Sequence, residues 1–318
     1  MPVWLLRQAG RYLPEYMEIR SKFPDFFEMI KTPKICKELT LQPLRRFPLD
    51  AAITFTDILT IPEAMGVDIE FIKGQGPVFA DSINNNPKLT LNESNYLEKL
   101  DYVFEATQLI KGEIDVPLIG FSGSPWTLFV YLFYGRSPRN YEIIKSYVSK
   151  EPENTHAILK ALTNAIKEYI SAQIKSGADC IQIFDSWGGI LSDQYNEFSL
   201  NYINEVRASL SKDIPMILYA KGTSVNGLLP DTKIDCFNLD CDENIDDYID
   251  MPLTVQGNFD PKDFHKEDAE LIDLADHIFE KYHTKQNYIF NVGSGITPDI
   301  DPDKVSLFLE RLRLFNSK

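Results

Sequence analysis

Seven short runs of β-branched and aromatic residues recur along the chain, separated by longer stretches of helical periodicity. This alternation limits the fold more than any other feature. The runs occupy residues 51–55, 118–121, 179–184, 216–219, 234–238, 253–256 and 288–291. Several are apolar on consecutive positions, as strands buried on both faces must be. Between them, residues 154–176 place Ile158, Leu162, Ile166, Tyr169, Ile170 and Ile174 at three- and four-residue steps, with Gly177 as the stop. The same pattern predicts helices over 192–211, through Phe198, Leu200, Ile203, Val206 and Leu210, and over 302–315, through Val305, Phe308, Leu309, Leu312 and Phe315. Alternation over all 318 residues predicts an α/β chain. Its expected form is one (β/α)8 TIM-type barrel spanning 1–318 rather than two domains, with its cleft at the C-terminal ends of the strands.

Charge narrows the ligands. With 32 Lys+Arg against 47 Asp+Glu the formal charge is -15, so no global positive field exists to hold nucleic acid or an anionic membrane. An anionic ligand would require basic groups gathered locally. No run of about 18 apolar residues predicts a membrane span, and the opening residues lack the pattern of a secretory signal. The four cysteines, Cys36, Cys180, Cys236 and Cys241, have no disulfide-framework spacing. The expected location is the cytoplasm.

Chemistry is sought at the strand ends. Arg7-Gln8-Ala9-Gly10-Arg11 carries two guanidiniums four apart, each able to grip a carboxylate through paired hydrogen bonds. The same spacing suits a surface turn with solvated arginines, and Arg20 suits a helix-surface ion pair. The run 51–55 leads to Asp57, placed either as a strand-end carboxylate or as a helix N-cap. Residues 120–127, Gly-Phe-Ser-Gly-Ser-Pro-Trp-Thr, turn from a strand into a helix whose amides suit an anion, with Tyr131 further along. Phe184-Asp185-Ser186 follows another strand, and Asn291-Val292-Gly293-Ser294-Gly295 brings small residues to a third. No phosphate-loop, G-x-S-x-G or H-E-x-x-H motif occurs, and Cys236 and Cys241 do not have zinc-site spacing. No metal is expected.

Taken together these motifs resemble the uroporphyrinogen decarboxylase family. The resemblance rests on the R-Q-A-G-R-Y-L-P-E-Y opening within residues 2–16 and the F-T-D-I-L strand end at 55–59. It continues through A-M-G at 64–66, G-Q-G-P at 74–77, G-F-S-G-S-P-W-T-L at 120–128, F-D-S at 184–186 and Q-G-N-F-D-P at 256–261, and covers essentially the whole chain. It implies a haem-pathway carboxy-lyase, usually a homodimer, that removes four acetate carboxyls from uroporphyrinogen III without cofactor or metal. It assigns Arg7, Arg11 and Arg20 to substrate carboxylates, beside the Ala9 backbone. Asp57 would accept from the pyrrole N–H groups, and Tyr131, Phe184, Ser186 and Ser294 would complete the contacts. Asp57 and Arg7 are the expected catalytic pair.

Two departures stand out. The family usually has histidine where this chain has Ser294, and serine offers a hydrogen bond without a cationic form. The opening motif starts at residue 1, where relatives carry a short preceding helical segment. Two rival readings accompany the assignment. One is a zinc-dependent corrinoid methyltransferase of the same barrel superfamily, against which Tyr219-Ala220-Lys221-Gly222 lacks the expected His and Cys ligands. The other is a tetrapyrrole-binding relative without turnover.

Overall fold

The computed structural model describes residues 1–72 and 74–314; Phe315, the expected end of the last helix, lies outside them. Nine strands run in chain order: β1 (Ala52–Ile53), β2 (Ile69–Ile72), β3 (Gly76–Phe79), β4 (Leu118–Gly123), β5 (Cys180–Asp185), β6 (Met216–Ala220), β7 (Cys236–Asn238), β8 (Thr254–Phe259) and β9 (Tyr288–Val292). All but β2 and β3 pair in parallel, in the order β1-β4-β5-β6-β7-β8-β9. Parallel pairing follows from their composition. Every residue of β4 is buried, and so are Ile181, Ile183, Leu218, Phe237, Val255 and Phe290. Such strands need cover on both faces, and crossover helices supply it.

The result is a curled seven-stranded sheet with helices around it. The place between β9 and β1 is taken by the opening segment. Phe290 N donates to Pro2 O at 2.9 Å, Trp4 N to Phe290 O at 3.3 Å and Asp50 N to Val3 O at 2.8 Å. Val3 thus forms a single parallel bridge to Phe290, so the described residues show seven full strands of the expected eight.

Pro152–Lys175 forms the longest helix, with Leu159, Leu162, Ile166 and Ile170 buried. Gly177 ends it at φ +116°, where a side chain would also strike Lys111. The single helix expected over 192–211 is instead broken. A 3₁₀ turn at Ser192–Gln194 and a π-helical turn at Asn196–Leu200 precede an α-helix at Asn201–Ala208. The apolar periodicity holds, since Phe198, Leu200, Ile203 and Val206 are all buried. Two side chains accompany the break: Ser199 Oγ donates to Asp185 Oδ2 at 2.7 Å, and Asn196 Nδ2 to Asp231 Oδ2 at 2.8 Å. Among the described residues no helix is long and apolar enough to cross a membrane.

Candidate active site

A cavity of about 300 Å³ opens at the C-terminal ends of β1, β4 and β5. Arg7, Ala9, Asp57, Tyr131, Phe184 and Ser186 all line it, together with Gln8, Thr56, Phe71, Pro77 and Phe121. Two larger recesses, of about 540 and 520 Å³, lie on helices and loops around Asn204 and Asp231 and around Ile143 and Tyr147. Only the smaller one collects groups from several strand ends, which is why the chemistry is assigned there.

Asp57 follows the apolar strand end, and its Oδ1 accepts from Leu59 N at 2.8 Å, just before the helix Thr60–Ala64. Strand-end and capping roles therefore coexist in one carboxylate. Burial raises its pKa from 3.8 to about 6, against the lowering effects of the Leu59 amide and the Arg7 charge. It remains mostly ionised at pH 7.

Arg7 sits in the left-handed region at φ +58°, a conformation that costs a non-glycine residue about 1 kcal/mol or more. The turn around it is fixed by neighbours. Leu6 N donates to Asn291 Oδ1 at 2.8 Å, Gln8 N to Leu5 O at 3.0 Å and Tyr12 Oη to Gln8 O at 2.8 Å. Its side chain runs against Gly295, where an added Cβ would come within 2.4 Å of Arg7 Cδ. No carboxylate among the described residues pairs with Arg7 or Arg11, so both guanidiniums face solvent with hydrogen-bonding capacity to spare.

The walls are aromatic. Phe184 meets Phe121 edge-on at 5.5 Å, and Phe71 of β2 packs on Phe26 at 4.6 Å. Tyr131 stacks on Phe79 of β3 at 6.5 Å and meets Trp187 edge-on at 6.1 Å. Burial raises the Tyr131 pKa, so its hydroxyl stays a neutral donor.

Three expected residues stand apart from the lining. Arg11 is exposed, and Arg20 ends the helix Pro14–Arg20 and donates to Phe23 O. Both charges lie near Tyr16, whose hydroxyl also senses Asp57. Ser294 is half-buried and its Oγ lies 3.6 Å from Cys241 Sγ.

Sequence reasoning missed Phe71 and Pro77, which the β2–β3 hairpin folds onto the cavity; an alternating run around Gly74 and Gly76 was the available signal. It also missed the role of Asp185. This carboxylate is fully buried and accepts from Ser124 Oγ at 2.7 Å, Thr127 Oγ1 at 3.0 Å and Ser199 Oγ at 2.7 Å. No group of three or more His, Cys, Asp or Glu among the described residues is placed to hold a metal ion.

The family model for uroporphyrinogen decarboxylase matches residues 1–314. The chain is 40% identical to a uroporphyrinogen decarboxylase of Francisella philomiragia, over 99% of this chain and 95% of that one. It is likewise 40% identical to one of Pseudoalteromonas translucida, over 100% and 93%. Among solved structures it resembles a methyltransferase from Methanosarcina mazei with a TM-score of 0.76 and 17% identity, covering 94% of this chain and 90% of that one. A B12-independent methionine synthase from Shewanella follows at 0.59 and 14%, covering 92% and 90%. At such identities these two likenesses concern the fold alone.

Proposed function

Because the chain belongs to the uroporphyrinogen decarboxylase family, we propose that it converts uroporphyrinogen III to coproporphyrinogen III in porphyrin biosynthesis. It does so by removing the four acetate carboxyls at the cavity around Asp57. The observation that carries this reading is a carboxylate with a single hydrogen-bond donor, set in an aromatic cavity beside an arginine that forms no salt bridge among the described residues.

Loss of carbon dioxide leaves an electron pair that needs a sink. Protonating the ring carbon beside the acetate-bearing position makes a cationic iminium. The C–C bond electrons then flow into the ring as carbon dioxide leaves. The exocyclic carbon takes up a proton to become methyl, and the ring carbon gives its proton back. Asp57 is ionised at neutral pH and accepts from the pyrrole N–H groups, so it stabilises the ring cation as it forms. A preorganised charge in a water-poor cavity is worth about 3 kcal/mol, or roughly 100-fold in rate. The porphyrinogen ring is flexible enough to dome its N–H groups toward one carboxylate.

Arg7 holds a carboxylate of the substrate through its free guanidinium, and Tyr131 and Ser186 donate to others. The cavity is smaller than a tetrapyrrole, so one face of the ring enters and the outer carboxylates stay outside, where Arg11 and Arg20 receive them. Ser294, next to Cys241, adds a neutral donor where the family uses histidine.

The remaining expectations are carried in the same reading. The sheet closes as a barrel through Val3, the enzyme works in the cytoplasm, and a second copy of the chain is its partner. Tyr141, exposed beside Trp187, and Ile143, also exposed, supply apolar surface for that contact. Anaerobic incubation with uroporphyrinogen, with products separated by carboxyl number, tests the activity. Stepwise loss of four carboxyls is expected, and tight binding without loss of any would overturn it in favour of a binding protein. Sedimentation at low concentration tests the dimer.

A further inference from the structure

Behind the end of β1, four buried hydroxyls have no hydrogen-bond partner among the described residues: Thr54 Oγ1, Thr56 Oγ1, Tyr102 Oη and Tyr169 Oη. A buried donor left unmade costs about 1–3 kcal/mol, so four of them together call for a reason. Their placement suggests one. Thr56 lines the cavity beside Asp57. Tyr169, 1% exposed on the helix Pro152–Lys175, faces the hydroxyls of Thr56 and Thr60, close enough to feel both without a hydrogen bond of full geometry to either. Thr60 Oγ1 in turn donates to Asp57 O at 2.9 Å. Tyr102, on the neighbouring helix Asp101–Lys111, lies within electrostatic reach of both Tyr169 and Glu63. The Glu63 carboxylate reaches the surface, where it meets Lys31 Nζ at 2.6 Å. Thr56 borders the cavity, Tyr169 neighbours Thr56, and Tyr102 neighbours both Tyr169 and Glu63, a succession of polar groups of the kind that holds internal water.

We propose that Thr56, Tyr169 and Tyr102, with internal water, form a proton relay that supplies the cavity from the surface at Glu63. This rests on the decarboxylase reading above. Each acetate carboxylate that leaves as carbon dioxide is replaced by hydrogen, so each event consumes one proton net: two are taken up by carbon and one is returned. A domed tetrapyrrole seated on the cavity mouth blocks delivery from that side at the moment protons are needed. A second route through the wall removes the conflict. Burial pushes both phenols well above their usual pKa, so the relay works with neutral hydroxyls. Each accepts one proton as it passes on another, and none ionises. These are positioning residues, since only Thr56 borders the space the substrate occupies.

The test is Tyr169→Phe and Tyr102→Phe in the full chain, assayed anaerobically with uroporphyrinogen in light and heavy water. Phenylalanine keeps the packing of Tyr169 against Phe104, whose rings lie 5.9 Å apart. The expected result is a fall in kcat of about 10-fold or more with KM unchanged, as for loss of a proton-transfer group. The solvent isotope effect on kcat should rise above that of the wild type. A kcat loss with an unaltered isotope effect would indicate packing alone and overturn the relay, as would wild-type turnover in both variants. Should Tyr169→Phe fail to fold, Tyr102→Phe, at a less buried position, decides on the same two criteria. An inactive wild type would overturn the decarboxylase reading itself, a separate outcome from active wild type with indifferent variants.

Discussion

Two strand ends each present a carboxylate, one fully buried and one half-buried, and the protein treats them in opposite ways. At the end of β5, Asp185 is surrounded by the hydroxyls of Ser124, Thr127 and Ser199, and it ties that strand to the helix Pro125–Tyr134 and the π-helical turn. At the end of β1, Asp57 has one backbone amide and otherwise faces an aromatic cavity. Burial pushes both pKa values up, yet only Asp185 has its lone pairs filled from within. A saturated carboxylate holds a structure together; one kept short of donors has lone pairs left for a ligand's donors, which is the role proposed for Asp57.

The sharpest way to break this contrast is Asp57→Asn. Turnover should fall about 100-fold, measured as carboxyl loss per folded molecule, while substrate binding measured by titration changes much less. Wild-type turnover would remove Asp57 from the chemistry.

A pH series sharpens the same point. Because folding raises the Asp57 pKa from 3.8 to about 6, the folded state binds more protons than the unfolded one between those values. Its ionisation therefore costs stability progressively from pH 4 to pH 6 and fully above. Asp57→Asn should match the wild type in thermal stability near pH 4 and exceed it above pH 6, by up to about 3 kcal/mol. In the wild type, kcat/KM should decline as pH falls through about 6, because the carboxylate is then protonated. A flat profile across pH 5–7 would count against that role.

Asp185→Asn should do the reverse. Turning one acceptor oxygen into a donor among three hydroxyls costs about 1–3 kcal/mol, read as a lower denaturant midpoint, and turnover per folded molecule should change less than tenfold. Greater harm to turnover than to stability would erase the distinction between the two carboxylates.

The smallest effect is expected at Gly295→Ala. The added methyl would lie 2.4 Å from Arg7 Cδ, so the arginine must swing aside. KM should rise several-fold with little change in Tm, and unaltered KM would mean that Arg7 does not grip substrate from its present position.

The seven parallel strands were legible because consecutive apolar residues leave no solvent face, and every one is found within a few residues of its expected bounds. The β2–β3 hairpin was not anticipated, because its strands are short and only partly buried. The break in the helix near Ser199 was equally hidden. Periodicity reports which face is buried, and that face survives a π-helical turn; it does not report that Ser199 would bond an aspartate 14 residues earlier. Asp185 was in plain view between Phe184 and Ser186, but Ser124 and Thr127 lie 61 and 58 residues before it. A carboxylate with distant hydroxyls around it looks the same in sequence as one with none.

The sequence by itself determined the class of fold and the family. Burial patterns and a long, specific opening motif are properties of neighbours along the chain. The tertiary structure alone decided which carboxylate would be satisfied and which left short of donors, and where Arg7 would point. It also decided that Ser294 would sit against Cys241. Hydration and hydrogen bonding are settled by what surrounds an atom in space, and for these residues the surroundings come from segments tens to hundreds of positions away.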